Sequence, residues 1–450
     1  MKMMMYCGVK RASVVLVGLL FMGTVLMPLH VQGACEEECQ MIKDINPTGS
    51  SFPEHFTVMN GILYFKADDG TNGVELWKSD GTAAGTMMVK DIDPTGDSYP
   101  MYLTVMNGIL YFRADDGTNG YELWKSDGTE AGTVMVKNIF PGGLGSDPEH
   151  LTVMDGTLYF QADDSANGYE LWKSDGTSAG TVMVRNINPT GDSDPEYLTV
   201  MDSTLYFRAT DGTNGDELWK SDGTTAGTVM VKNINPGGNS YPKDLTVMNG
   251  ILYFRADDGT NGDEVWKSDG TAAGTMMVKD INPTGSSDPL YFTIMDNTLY
   301  FQATEGVNGD ELWKSDGTAA GTTLIKDIWP GGGNSYPDYL TVMNGILYFY
   351  ANDGTNGYEV WKSDGTAAGT MMVTDIFPGS GSSNPQYFTV MGDTLYFQAT
   401  DGTNGDELWG CSCSSPSKSA EQVSALSPLA ICVLVGLVSM IAVFRIRKKQ

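Results

Sequence analysis

The stretch Gly120–Ile139, GYELWKSDGTEAGTVMVKNI, returns along the chain almost unchanged. Its Trp gives the register: Trp77, Trp124, Trp172, Trp219, Trp266, Trp313, Trp361 and Trp409 recur at intervals of 47 or 48 residues. Self-similarity at such a period marks a solenoid or a propeller. One copy, MYLTVMNGILYFRADDGTNGYELWKSDGTEAGTVMVKNI, holds four short runs of β-branched and aromatic residues cut by Asn-Gly or Asp-Gly. Asn107-Gly108 suits a two-residue hairpin, because both turn positions need positive φ. DDGTNG at Asp115–Gly120 joins the second run to the third, and SDGTEAG at Ser126–Gly132 joins the third to the fourth. None of the runs has helical spacing. Four antiparallel strands in a repeat of this length make a propeller blade, whereas a β-solenoid uses much shorter coils.

The cut points say how the ring closes. There are eight LYF triplets and eight ELW or EVW triplets, but seven SDGT hairpins. The chain opens where the eighth is missing, with an orphan fourth strand at Met41–Ile45 and an orphan third strand at Asp406–Trp409. Together they complete one blade. This predicts an all-β, eight-bladed propeller of four-stranded antiparallel blades over residues 34–410, closed by its N-terminal strand so that no edge is left open. Two cysteine clusters, Cys35 with Cys39 and Cys411 with Cys413, flank that seam. Disulfides between the clusters are expected, and four thiols allow three pairings. A metal site would want added histidine, and His55 and His150 lie far from both clusters in the sequence.

The ends give an address. Lys2, Lys10 and Arg11 precede an apolar run from Ala12 to Met27, and Val31 and Gly33 suit cleavage before Ala34, so residues 1–33 read as a secretory signal. Residues 411–424 read as a spacer, and Ala425–Phe444 is uncharged and long enough to cross a bilayer. The basic tail at 445–450 then places the N-terminal bulk outside, and argues against a lipid-anchor signal, which ends in its hydrophobic tail. Of the 27 basic residues seven belong to these ends, so residues 34–424 carry 20 against 56 acidic ones, a net charge of −36. Such a surface repels nucleic acid and anionic lipid and favours cations or basic partners.

ELWKSDGTAAGT, with LYFxA upstream and VKDI downstream, resembles the ELWxxDGT repeat of secreted and surface proteins, over nearly all of Met41–Trp409. The resemblance implies a secreted β-propeller of no established activity. A weaker likeness is to quinoprotein propellers, whose blades carry a TGxExW-type motif that NGYELW matches in part. It departs from them in placing Trp before a second Gly-rich hairpin, and in lacking the neighbouring cysteine pair expected beside a quinone.

The loops between second and third strands (b–c loops) read DDGTNG, DDGTNG, DDSANG, TDGTNG, DDGTNG, TEGVNG, NDGTNG and TDGTNG, each followed by a Glu six residues after the acid. Oxygen ligands, an Asn and a Gly turn suit Ca²⁺, which makes Asp69, Asn72, Glu75, Asp116, Asn119, Glu122, Asp258, Asn261 and Glu264 candidate ligands. The alternative is local chemistry: Asp and Asn close Asx-turns, and Glu caps or pairs with the Lys after Trp. Recurrent aromatics such as Tyr111 and Trp124 are expected between blades rather than on a sugar-binding surface. SDGT has the flavour of a sialidase Asp-box, but Trp precedes it here, and it reads as a turn. No Ser-His-Asp set, Cys-His pair or phosphate loop can be assembled, and the two histidines, in PEH, are expected at the surface. Copies differ in the blade-to-blade (d–a) loops, SSFPEH, DSYPMY, GSDPEH, DSDPEY, NSYPKD, SSDPLY, NSYPDY and SSNPQY, and in the residue before the Glu. Both sets of loops share one face of a propeller. Tyr99, Tyr121, Tyr169, Tyr241, Tyr336 and Tyr358 are therefore expected to form an interaction rim.

The function expected is a non-catalytic binding or adhesion module on a cell surface, held by one membrane helix, monomeric, meeting an extracellular protein or glycan. No cofactor is required by this reading, and calcium is its one candidate ion. The rivals are a quinoprotein-like oxidoreductase using the channel and a purely structural coat protein.

Overall fold

Each run becomes a strand because β-branched and aromatic residues mass between Asn-Gly and Asp-Gly turns. The computed structural model describes residues 36–414. In chain order β1 (Glu36–Lys43) is followed by β2 (Glu54–Met59), β3 (Ile62–Asp68), β4 (Val74–Ser79) and β5 (Met87–Lys90). The pattern β2–β5 recurs six more times, through β29 (Met371–Thr374), before β30 (Gln386–Met391), β31 (Thr394–Thr400) and β32 (Asp406–Ser414). Strands pair with their chain neighbours in each sheet, and the eighth sheet is ordered β1-β32-β31-β30. The expected eight-bladed propeller, closed by the N-terminal strand, is thus observed, with no helix among the described residues. Within a blade we letter the strands a to d from the centre outwards; the a strands of adjacent blades meet around the axis.

The core lies between blades rather than within them. Met59, Tyr64, Leu76, Val89 and Ile92 of the first blade pack with Leu103, Leu110, Phe112, Ala114 and Trp124 of the second. Strands b and c are covered on both faces, which is why LYF and ELW are continuous apolar runs instead of alternating ones. Phe112 lies opposite Trp124 in the b–c register, and both are buried. Polar bonds lace the same seams. The Thr104 hydroxyl donates to the Leu151 carbonyl at 3.1 Å, and Lys125 Nζ to the Gly176 carbonyl at 2.9 Å. Lys90 Nζ lies 5.8 Å from the centre of the Trp124 ring and donates to the Thr133 carbonyl at 2.9 Å. Of the two local roles expected for the Glu, capping and pairing with the Lys after Trp, it takes the first, and the Lys reaches the next blade instead. Gly176 shows why SDGT needs its glycine: φ is +86°, and a Cβ would fall 2.1 Å from the Tyr111 hydroxyl of the preceding blade.

At the closing seam Cys39 and Cys411 are joined by a disulfide across 372 residues of sequence. β32 continues to Ser414, past the boundary expected at 410, because Cys411 pairs with Leu395 and is fully buried. Cys413 lies on this strand. Cys35, the signal segment 1–33, residues 415–424 of the spacer, the apolar segment 425–444 and the tail 445–450 lie outside the described residues. Among the described residues no helix is long and apolar enough to cross a membrane.

Candidate functional site

Every blade enters strand a through Pro and two further residues, PEH, PMY, PEH, PEY, PKD, PLY, PDY and PQY. In the first blade Glu54 lies opposite Lys66 but Thr57 lies opposite Tyr64, so the register slips between them. The same slip recurs in the other seven blades. Such a bulge re-aims a side chain. The residue re-aimed is His55, Tyr102, His150, Tyr197, Asp244, Tyr291, Tyr339 or Tyr387, and all eight adopt left-handed backbone, with φ between 54° and 61°. For tyrosine that conformation is an outlier, and strain repeated at one level of a fold points to a functional site.

These side chains ring the central channel. Centroids follow one another from Tyr387 to His55 at 5.7 Å, His55 to Tyr102 at 6.2 Å, Tyr102 to His150 at 5.5 Å and His150 to Tyr197 at 5.5 Å. On the other arc Tyr291 and Tyr339 stand 6.4 Å apart, and Tyr339 and Tyr387 5.1 Å. Asp244, between Tyr197 and Tyr291, interrupts the aromatic circle. Two cavities of about 430 and 410 Å³ share His55 and Asp244 on their walls. Burial first, then Lys66, holds His55 down to about 4, and burial does the same to His150, so both are neutral at physiological pH. His150 Nδ1 accepts the Tyr197 N–H at 3.4 Å. Burial pushes Asp244 up to about 6, against the pull of Arg255 and Lys243. It pushes Asp338 up to about 6 as well, although that carboxylate accepts the Tyr339 N–H and the Tyr291 hydroxyl.

Behind the ring, the residue after LYF breaks the symmetry again. Lys66 pairs with Glu54 at 2.7 Å, Arg113 with Glu149 and, at 3.6 Å, Asp147, and Arg208 with Glu196 at 2.5 Å. Arg255 holds Asp263 at 2.6 Å and Asp288 at 3.1 Å. The position is neutral in the third blade, Gln161, and in the last three: Gln302, Tyr350, stacked on Tyr358 at 4.4 Å, and Gln398.

The b–c and d–a loops share a face, since the Val74 N–H donates to Asp97 Oδ1 at 2.8 Å and the Ser98 N–H to the Val74 carbonyl at 3.0 Å. Of the expected rim, Tyr99, Tyr241 and Tyr336 stand exposed in d–a loops, each before a Pro. Tyr121, Tyr169 and Tyr358 lie at the b–c end of the c strands and are half-buried. Arg113 lies 4.6 Å from the centre of the Tyr121 ring, and the Tyr169 hydroxyl donates to Asp147 at 3.2 Å.

The candidate calcium ligands divide into two places. Asp69 Oδ1 accepts the N–H groups of Thr71 and Asn72 at 2.9 and 2.8 Å, and Oδ2 accepts Asn72 Nδ2 at 2.8 Å. Asp116 with Asn119 and Asp258 with Asn261 repeat this Asx-turn. Glu75, Glu122 and Glu264 are fully buried and cap the backbone of the d–a loop instead. Glu75 accepts the Ile92 N–H at 2.8 Å and the Ser98 hydroxyl at 2.7 Å. Glu122 accepts Ile139 at 2.9 Å and Ser146 at 2.6 Å; Glu264 accepts Ile281 at 2.8 Å and Ser287 at 2.7 Å. Burial pushes Glu75 and Glu264 up to about 7 and Glu122 upward too. Among the described residues no three His, Cys, Asp or Glu side chains gather as a metal site would require.

Sequence reasoning missed the ring, and the two histidines are corrected from surface positions to channel wall. The signal was present as the last letter of each d–a loop, which alternates among His, Tyr and Asp. A pattern of period two cannot show a bulge, so nothing in that letter told inside from outside.

No protein-family model matches the sequence, and no curated protein matches it. Solved structures do. A puromycin hydrolase S511A mutant complexed with PGG is 13% identical, with 80% of this chain and 60% of that chain covered and a TM-score of 0.47. Puromycin hydrolase itself gives 12%, 79%, 60% and 0.47, and a chain from a study of two prolyl endopeptidases 12%, 80%, 56% and 0.50. This chain thus spans about three fifths of those proteins, and at such identity the likeness is one of propeller fold alone.

Proposed function

We propose that this chain is a non-catalytic binding module, displayed outside the cell and anchored by the segment 425–444, that takes its partner at the channel mouth on the face of the b–c and d–a loops. The ring of bulged residues carries this reading. Seam residues recur unchanged because all eight seams do the same packing. An asymmetric ligand needs an asymmetric contact, and His55, Asp244 and the tyrosines between them supply one at strained positions beside a cavity. The exposed tyrosines at Tyr99, Tyr241 and Tyr336 extend it outward.

The test is capture of a surface partner by the purified full-length chain and by a Tyr99→Ala, Tyr241→Ala, Tyr336→Ala triple variant. Loss of capture with an unchanged melting curve is the expected result. Equal capture by both proteins places the interaction elsewhere. A visible chromophore that co-purifies with the wild type would favour the quinoprotein-like reading instead.

A further inference from the structure

We propose that the channel mouth binds an organic ammonium group, from a lysine side chain or a free alkylamine, with Asp244 as counter-ion and Tyr291, Tyr339 and Tyr387 as its aromatic wall. This rests on the binding-module reading and names the chemistry of its site. Asp244 is the one acid among the eight ring residues, and it lines both cavities. No ion pair within 4 Å joins it to a cation among the described residues. Its nearest guanidinium, Arg255, is held by Asp263 at 2.6 Å and Asp288 at 3.1 Å. Lys243, its neighbour in the chain, lies in register with Arg255 on strand b.

The charge behind the ring chooses the arc. Lys66, Arg113 and Arg208, each paired with an acid, stand behind His55, Tyr102 and Tyr197, with neutral Gln161 behind His150, so this arc already holds three cations. From Tyr291 to Tyr387 the corresponding positions are Gln302, Tyr350 and Gln398, all neutral. The cavity on this arc, about 430 Å³, is walled by Tyr291, Tyr339, Tyr387, His55 and Asp244 and has room for an aminoalkyl chain. The Tyr291 hydroxyl donates to Asp338, which leaves its ring richer in electrons. Electron-rich faces beside a carboxylate hold a desolvated ammonium by cation–π attraction as well as by charge. A bare metal ion is the poorer fit: Ca²⁺ takes six to eight oxygen ligands, and the wall offers one carboxylate among aromatic rings.

The experiment is calorimetric titration of the full chain with Nα-acetyl-lysine methylamide, with cadaverine, and with Nα-acetyl-norleucine methylamide, at neutral pH and physiological salt. Both amines should bind and the neutral isostere should not. Asp244→Asn should weaken the amines about tenfold or more, because it removes the counter-ion and keeps the shape. Asn also tolerates left-handed backbone. Asp222→Asn, in an exposed SDGT hairpin at the other end of its blade, should leave binding unchanged. Tetramethylammonium should compete on the wild type, a measurement that needs no variant to fold. Tighter binding of the lysine amide assigns the site to peptide side chains, and parity with cadaverine assigns it to free amines. Equal binding by Asp244→Asn, or binding of the norleucine amide, overturns the proposal. If the amines fail while partner capture still depends on Tyr99, Tyr241 and Tyr336, the ammonium assignment alone falls.

Discussion

At Glu264 a carboxylate sealed from solvent accepts the Ile281 N–H and the Ser287 hydroxyl, at 2.8 and 2.7 Å. The Ser287 hydroxyl also lies 3.2 Å from the Asp263 carbonyl. It can therefore turn to that carbonyl and accept from Glu264 when the acid is protonated, so both charge states are satisfied. Glu264→Ala leaves a buried N–H without a partner and should cost about 2–4 kcal/mol in urea unfolding. Asp258→Asn keeps its Asx-turn, because asparagine closes the same turn, and should change stability by less than about 0.5 kcal/mol. Equal costs would mean that the half-buried Asp258 holds its loop as strongly as the sealed Glu264 does. The sequence placed a Glu six residues after every loop acid but could not separate them, since the partners that seat Glu264 lie 17 and 23 residues further on.

At the scale of the strand, the bulge on strand a and the seam between blades make opposite demands. Seam residues are packed for stability: Trp219 is buried against the preceding blade, and Trp219→Ala should cost about 3–5 kcal/mol. Bulge residues are strained. Tyr197 holds φ at 56°, where glycine sits freely. Tyr197→Gly should therefore cost less than about 2 kcal/mol, because relief of strain offsets lost ring contacts. A penalty as large as that of Trp219→Ala would show the ring to be core packing instead. The tyrosines were legible as recurrent aromatics, but nothing in LYF or PEY tells which tyrosine fills a seam and which faces a channel.

For the whole ring, closure and charge set the stability. β1 and β32 are joined by no turn, so the Cys39–Cys411 bond clasps the two ends. Paired replacement by serine should cost about 2–5 kcal/mol and lower the melting temperature without changing the blade count. The pH profile follows from the buried groups. Glu75, Glu170, Glu264, Glu311 and Glu407 are raised from 4.5 to about 7, so the folded state binds protons that the unfolded chain releases. Their contribution therefore grows as pH falls from about 7 toward 4.5. His55 and His150 are depressed from 6.5 to about 4, and act in the opposite sense across that window. The glutamates outnumber them, so the melting temperature should rise on acidification from about pH 8 to about pH 5 and fall below about pH 4. A steady decline from the start would mean that the seated glutamates stay charged. Chelator should leave the melting temperature unchanged, since Asp69 and its counterparts already spend their oxygens on Asn and N–H groups. Collapse in chelator would make calcium structural.

The blade, the number of blades and the way the ring closes were determined by the sequence alone. Turn residues act locally, the repeat length counts the sheets, and the missing SDGT hairpin marks where the chain opens. That the two cysteine clusters meet at the seam followed from the same arithmetic, and the structure then chose Cys39 and Cys411 as partners. Tertiary structure alone decided where His55, Asp244 and their six counterparts point. A one-residue slip between strands a and b turns each into the channel, and that slip is a matter of pairing between two strands, which the alternation of residues along strand a does not display. It likewise decided that Glu75 is sealed in the interior while Asp69 stays half-exposed: two acids six residues apart are sorted by whether the backbone N–H groups they accept belong to the next loop or to their own.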